Sequence, residues 1–258
     1  MKLTQRNYFS KKANKEFMSV SQFKSFEKCP ASALAEINGK YKRETTTSLL
    51  VGSFIDSYFE GEKSIVKFIN EHPEIFKADK TLKAEYKQAN EIIKRIESDA
   101  LFMSYISGKK QVIMTGNIAG VDVKIKIDDL HDDKIVDLKI VKDFENIFDK
   151  EKGSLPWFEF WEYDLQGAVY QEVVRQNTGK VLPFYLAAAT KEKITDIDIV
   201  EINQKYLDFA LERFKSEVPL FDAIKKGIVE PERCEKCEYC KKSKVLSEPK
   251  MAEEFYLI

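Results

Sequence analysis

Three residues near the middle of the chain have the types and spacing that metal-assisted chemistry on a phosphate requires. Asp128 ends the stretch VDVKIKID, and Asp137 and Lys139 stand two apart in KIVDLKIV. Side chains alternate along a β-strand, so residues two apart share a face. If the two stretches pair as strands, two carboxylates and one ammonium converge. Carboxylate oxygens are the ligands that Mg²⁺ and Mn²⁺ take. A divalent ion held there binds a phosphate oxygen, acidifies a bound water and stabilises the leaving oxygen. Lys139 would position or help deprotonate that water and offset phosphate charge. Asp129 competes for the first position, but strand parity puts Asp128 with Lys124 and Lys126 on the polar face. Asp129 falls on the apolar face of Val121, Val123, Ile125 and Ile127. Asp128 is therefore the expected ligand, and His131 in the following turn is expected to be solvated.

A second set of reactive residues lies near the two ends. Cys234, Cys237 and Cys240 form a C-x-x-C-x-x-C run, and the one other cysteine is Cys29, in EKCP. The start of the chain, MKLTQRNYFSKKANK, lacks the apolar stretch of a signal peptide, so a cytoplasmic location and reduced thiols are expected. Three local thiols and one remote thiol make a four-ligand set, for which a metal is the reading that the spacing supports.

The elements that must position these groups follow from the pattern. Residues 1 to 18 read as an irregular, lysine-rich arm. SVSQFKSFEKCP is a helix opened by a Ser19/Gln22 capping box, with ASALAEING and TTTSLLVGSFIDSYFEG as two more helices. From 64 to 107 the pattern is helical, with Ile92, Ile93 and Ile96 pointing inward. KQVIMTGN, VDVKIKID and KIVDLKIV are three consecutive strands. A helix over FWEYDLQGAVYQEVVRQ, the strands VLPFYLAAAT and DIDIVEI, and a closing helix from QKYLDFAL complete the order. That order predicts a mixed α/β (α+β) fold. It divides into a helical N-terminal region (1–108), a core (109–230) and a cysteine-rich tail (231–258) packed into one compact domain.

Composition narrows the function. The 258 residues are 43% hydrophobic, enough for a sizeable core, and the net charge of −1 argues against a broad cationic DNA-coating surface. Local basic clusters at Lys11, Lys12 and Lys15 and at Lys241, Lys242 and Lys244 remain available for a phosphate backbone. No apolar run reaches membrane-spanning length. In PWFEFW, the exposed-looking Trp157, Phe158, Phe160 and Trp161 are candidates to stack on an unpaired base, with core packing expected for at least half of them.

Asp128, the gap DLHDDKIV and then DLK at 137–139 resemble the signature of the PD-(D/E)XK nucleases. DLQGAVY, with Gln166 and Tyr170 four apart, is similar to the Gln-x-x-x-Tyr of the RecB-like and phage RecE-like exonuclease branch. The resemblance covers residues 19 to 240. It implies a restriction-endonuclease-like core, a mixed β-sheet flanked by helices. It also implies a Mg²⁺- or Mn²⁺-dependent deoxyribonuclease acting on double-stranded DNA ends in recombination or repair. Gln166 and Tyr170 would lie beside the metals. The branch carries a histidine ligand where GSFID has Asp56, so Asp56 stands in the place of a third ligand and a hard carboxylate suits Mg²⁺. For the cysteines the resemblance implies a [4Fe–4S] cluster, with Zn²⁺ as the alternative. A single-strand annealing protein and a homo-oligomer are the implied partners. A catalytically inactive DNA-end-binding or recombination-mediator module with the same fold is the alternative function, to which the missing histidine points.

Overall fold

The computed structural model describes residues 1–246, 248, 249 and 251; the other positions of the expected tail, 231–258, lie outside the described residues. Helices α1 (Lys11–Glu16), α2 (Val20–Lys28), α3 (Pro30–Ile37), α4 (Thr47–Glu60), α5 (Glu62–Glu71), α6 (Ala84–Glu97) and α7 (Ala100–Tyr105) come first. Strands β1 (Lys109–Ile118), β2 (Val121–Leu130) and β3 (Ile135–Val141) follow, then a hairpin of β4 (Ile147–Asp149) and β5 (Gly153–Leu155). After α8 (Trp157–Phe160) and α9 (Tyr163–Thr178) come β6 (Phe184–Thr190), β7 (Ile197–Glu201), α10 (Gln204–Lys225) and α11 (Glu238–Lys242).

The main sheet runs β1-β2-β3-β6-β7, antiparallel except for the parallel β3–β6 pair. A parallel pair needs a crossover, and α9 supplies it. Strand alternation in β3 sends Ile135 and Val141 into one core layer with α2, α9 and α10. Val136 and Leu138 enter a second layer with α4 and α6. A mixed sheet covered by helices on both faces is the restriction-endonuclease-like arrangement. Ser19 and Gln22 make the expected reciprocal capping box of α2. Among the described residues no helix is long and apolar enough to cross a membrane.

Strands β2 and β3 are in register only at Asp129–Val136 and Leu130–Ile135. Towards the N-terminus of β2 the two strands part, and the gap between them is where the candidate site lies.

Four local expectations are corrected. Residues 1–18 are not an irregular arm: they contain α1, bury Tyr8 and Met18, and add a parallel bridge from Met18 to Val123. Lys124 explains the difference. It was expected on a solvated face but is 1% exposed, and its ammonium donates to Tyr8 O and Asn14 Oδ1, both at 2.6 Å. The helical stretch 64–107 is three helices, broken where Pro73 opens a 3₁₀ turn and where Asp99 caps α7. The helix carrying Gln166 begins at Tyr163 rather than at Phe160, because Glu162 takes a left-handed conformation (φ 55°) that stops α8 from continuing. Finally, Trp157 is a core residue at 6% exposure, not an exposed one.

Candidate active site

Where β2 leaves β3, the Asp128 side chain takes over the role of a strand neighbour. Its Oδ2 accepts the backbone N–H of Leu138 at 3.3 Å, and its Oδ1 accepts from Gln111 Nε2 at 3.1 Å. This holds Asp128 against Asp137. Asp137 is 1% exposed, and each of its oxygens has its own neighbour. Gln166 Nε2, from α9, donates to Oδ1 at 2.6 Å, and the Lys139 ammonium forms an ion pair with Oδ2. Asp56 approaches from α4, with Ile55 beside it locked in the second core layer.

Electrostatics confirm that the three carboxylates share one neighbourhood. Burial pushes the Asp56 carboxyl up to about 7; Lys139 opposes the shift, while Asp137 and Glu60 add to it. Asp128 is raised well above the usual carboxylate range, first by burial and then by Asp137 and Asp56. Burial alone would lower Lys139, but the Asp137 charge, with Tyr163 and Asp128, outweighs it and keeps the side chain an ammonium. Lys126 stands 3.9 Å from Glu60, and Lys24 and Lys124 line the same pocket. Acids and lysines are crowded together there, and like charges among the carboxylates raise one another's pKa.

The cluster opens into a cavity of about 510 Å³ whose walls include Asp56, Asp128, Gln166, Tyr170, Lys24 and Lys126. Tyr170 lines it but donates its hydroxyl to Lys126 O at 3.0 Å, so it braces β2. Its own pKa is raised by burial and by Asp137. Asp129 is held apart, buried and ion-paired with Lys110 Nζ at 2.7 Å. His131 is not solvated as expected; its Nε2 lies 2.7 Å from Tyr105 O.

Four residues of this cavity carried no signal in the sequence. Tyr8 and Phe9 come from the N-terminal arm, and burial and Asp128 raise the Tyr8 hydroxyl's pKa. Gln111 is held at φ 54°, a left-handed conformation that non-glycine residues avoid and that aims its amide at Asp128. Lys24 donates to Trp161 O at 2.7 Å and Glu162 O at 2.6 Å, fixing the left-handed corner before α9.

The cysteines meet as well. Cys29 sits between α2 and α3, and the Sγ atoms of Cys29, Cys234, Cys237 and Cys240 all lie within 4.8 Å of one another. Cys29 and Cys240 are 3.6 Å apart, and Cys234 and Cys240 are 4.0 Å apart. Backbone N–H groups of Lys236 and Cys237 hold the Cys234 thiol down at about 6, so it is readily a thiolate. This four-cysteine set is suited to hold a metal. The loop it closes ties the first helices to the C-terminal segment, with Ala31 N–H donating to Glu232 O at 3.0 Å.

Comparison with known proteins places the chain in a family. A family model described as a PDDEXK-like domain of unknown function (DUF3799) matches residues 19–243. A crystal structure of a "Putative exonuclease" from Eubacterium rectale is similar over 99% of this chain and 98% of that one, at 45% identity and a TM-score of 0.95. No curated protein matches the chain.

Proposed function

The chain belongs to this PDDEXK-like family, and on that footing we propose that it is a metal-dependent DNA nuclease. The observation that carries the reading is the meeting of Asp56, Asp128, Asp137 and Lys139 at the β2–β3 gap, with Asp56 and Asp128 lining the cavity beside it. Three neighbouring carboxylates fit a hard divalent cation, because oxygen donors suit Mg²⁺ or Mn²⁺. An ion held by Asp56, Asp128 and Asp137 would supply Lewis acidity and an acidified water.

The remaining roles belong to the chain's own groups. Gln166 fixes Asp137 by donating to Oδ1, which leaves the carboxylate one orientation. Lys139, paired with Asp137 Oδ2, is placed to position the attacking water and to offset phosphate charge. Tyr170 acts through β2, whose Lys126 carbonyl it holds. Lys24 fixes the corner that sets where α9 begins.

The finer reading is an exonuclease of phage type that works on double-stranded DNA ends in recombination or repair. The similarity to the Eubacterium rectale protein, itself described as a "Putative exonuclease", supports it. Partnership with a single-strand annealing protein and a homo-oligomeric assembly rest on resemblance to the phage branch.

For the cysteine centre, the sulfur spacing bears on the choice between a [4Fe–4S] cluster and zinc. Four thiolates about 2.3 Å from one tetrahedral ion stand about 3.8 Å from each other, close to the 3.6 and 4.0 Å found here. In a [4Fe–4S] cube each thiolate binds its own iron, which sets the sulfurs further apart. These two spacings favour a single ion, and the remaining sulfur pairs lie within 4.8 Å. The role of the centre in either case is to tie the two ends of the chain together.

The test is purified protein with linear, nicked and covalently closed circular DNA, with and without Mg²⁺. Metal-dependent loss of linear DNA alone is the expected outcome. Cleavage of closed circles would make the protein an endonuclease, and no cleavage of any substrate would remove the nuclease reading.

A further inference from the structure

Residues 1–18 precede the segment matched by the family model, yet Tyr8, Phe9 and Asn14 line the same cavity as Asp56 and Asp128. Phe9 is 71% exposed, so core packing does not account for a large apolar ring there. The ring is nonetheless held. Tyr8 meets it edge-on, with centroids 4.9 Å apart and planes at 85°, and Lys126 Nζ lies 5.4 Å from its centroid. The arm beneath it is anchored by the buried Lys124 ammonium and by Gln5 Nε2, which donates to Gln111 O at 2.6 Å. Gln111 in turn donates to Asp128, so one short chain of hydrogen bonds links the arm to the acid cluster.

The expectation from sequence placed the stacking aromatics in PWFEFW. Among the described residues the aromatic rings on the cavity are instead Tyr8, Phe9 and Tyr170, and of these only Phe9 is exposed. A fixed open ring beside ammonium groups is what an unpaired nucleotide needs: a stacking face for the base and cations for its phosphate.

Resting on the nuclease reading, we propose that Phe9 is the stacking platform for the unpaired terminal base of the strand whose phosphodiester lies at the acid cluster. The substrate class is then DNA with a frayed or single-stranded end. The arm selects that end, and continuous duplex is excluded because its bases offer no free face.

The test is binding, read by fluorescence anisotropy in Ca²⁺ on DNA checked to remain intact. A duplex with a short overhang is compared with a closed circle of the same sequence. Phe9→Ala is expected to weaken overhang binding about tenfold, the effect of losing one base stack, with binding to the circle unchanged. Phe9→Trp should restore it, whereas Phe9→Leu, apolar without a ring, should not. Thermal unfolding of all three should match the parent, since the side chain is largely in solvent. If the parent protein prefers the overhang and Phe9→Ala keeps that preference, the platform is refuted and the nuclease reading stands. If the parent protein binds neither DNA, the nuclease reading falls with it.

Discussion

The side-chain amide of Gln166 donates to Asp137 Oδ1 at 2.6 Å, joining the first turn of α9 to the central strand at the one point where the strand carries a buried carboxylate. With Lys139 on the other oxygen, Asp137 has no freedom to turn. Replacing Gln166 by alanine is expected to lower the cleavage rate and the metal affinity by about 10- to 100-fold, the usual effect of losing a group that orients a ligand. Asp137→Ala and Lys139→Ala should abolish cleavage with the fold retained by circular dichroism. Robust cleavage by the Lys139→Ala protein would remove its assigned role.

Asp56 gives a separate test of the ligand set. Asp56→Ala should weaken Mg²⁺ binding measured by calorimetry, and Asp56→His should keep much of it, because imidazole and carboxylate both fill a ligand position. An alanine variant with unchanged Mg²⁺ affinity would make Asp56 an ordinary helix residue.

Lys124 makes stability depend on alkaline pH. Burial lowers its ammonium from 10.5 to about 8, with Tyr8 and Lys225 as the titratable groups facing it. Below about pH 8 the folded and unfolded chains are both protonated, and the folded one carries the full cost of the buried charge, at most about 3 kcal/mol. Between that pH and the unfolded value near 10.4 the unfolded chain binds more protons, so stability rises with pH. Tm measured from pH 7 to 10 should therefore rise more steeply in the parent protein than in Lys124→Met. Parallel curves would contradict the assignment.

The cysteine centre predicts matched losses. Cys29→Ser and Cys234→Ser should lower Tm by comparable amounts and release the same metal, because each removes one of the four ligands of a centre that ties the two ends of the chain together. Elemental analysis of anaerobically purified protein decides the ion: one zinc per chain and no colour, or iron with sulfide and a brown solution. Retention of full metal content by Cys29→Ser would break the four-ligand set.

Gly167 tests how tightly α9 lies on the sheet. A Cβ there would stand 2.7 Å from Phe184 Cγ and 2.9 Å from Leu207 Cδ2. Gly167→Ala should destabilise by about 1–3 kcal/mol through overpacking, read as a lower denaturation midpoint. A stability equal to the parent's would mean that α9 can shift away from β6.

Much of the site was legible because it rests on local periodicity. Asp137 and Lys139 share a face because strand side chains alternate. Gln166 and Tyr170 stand on one side of α9 because they are four apart, although they touch different groups. What failed was reading a residue's surroundings from its own neighbours. Lys124 looks like half of a solvated alternation, and nothing around it in the sequence announces that Tyr8 and Asn14 will supply its acceptors from 116 and 110 residues away. The stop before α9 was missed for a related reason, since Lys24 caps the carbonyls of Trp161 and Glu162 from a distant helix.

The sequence by itself determined the acid pair with its lysine, the four-thiol set and the mixed order of helices and strands, because those depend on residue type and short spacing. Only the tertiary structure decided that β2 parts from β3 at Asp128, that Asp56 and Cys29 reach partners far along the chain, and that the N-terminal arm closes over the cavity. The physical reason is that buried charge and unpaired backbone must be satisfied wherever acceptors can be brought. The residues that satisfy them are chosen by packing in three dimensions, which sequence separation does not record.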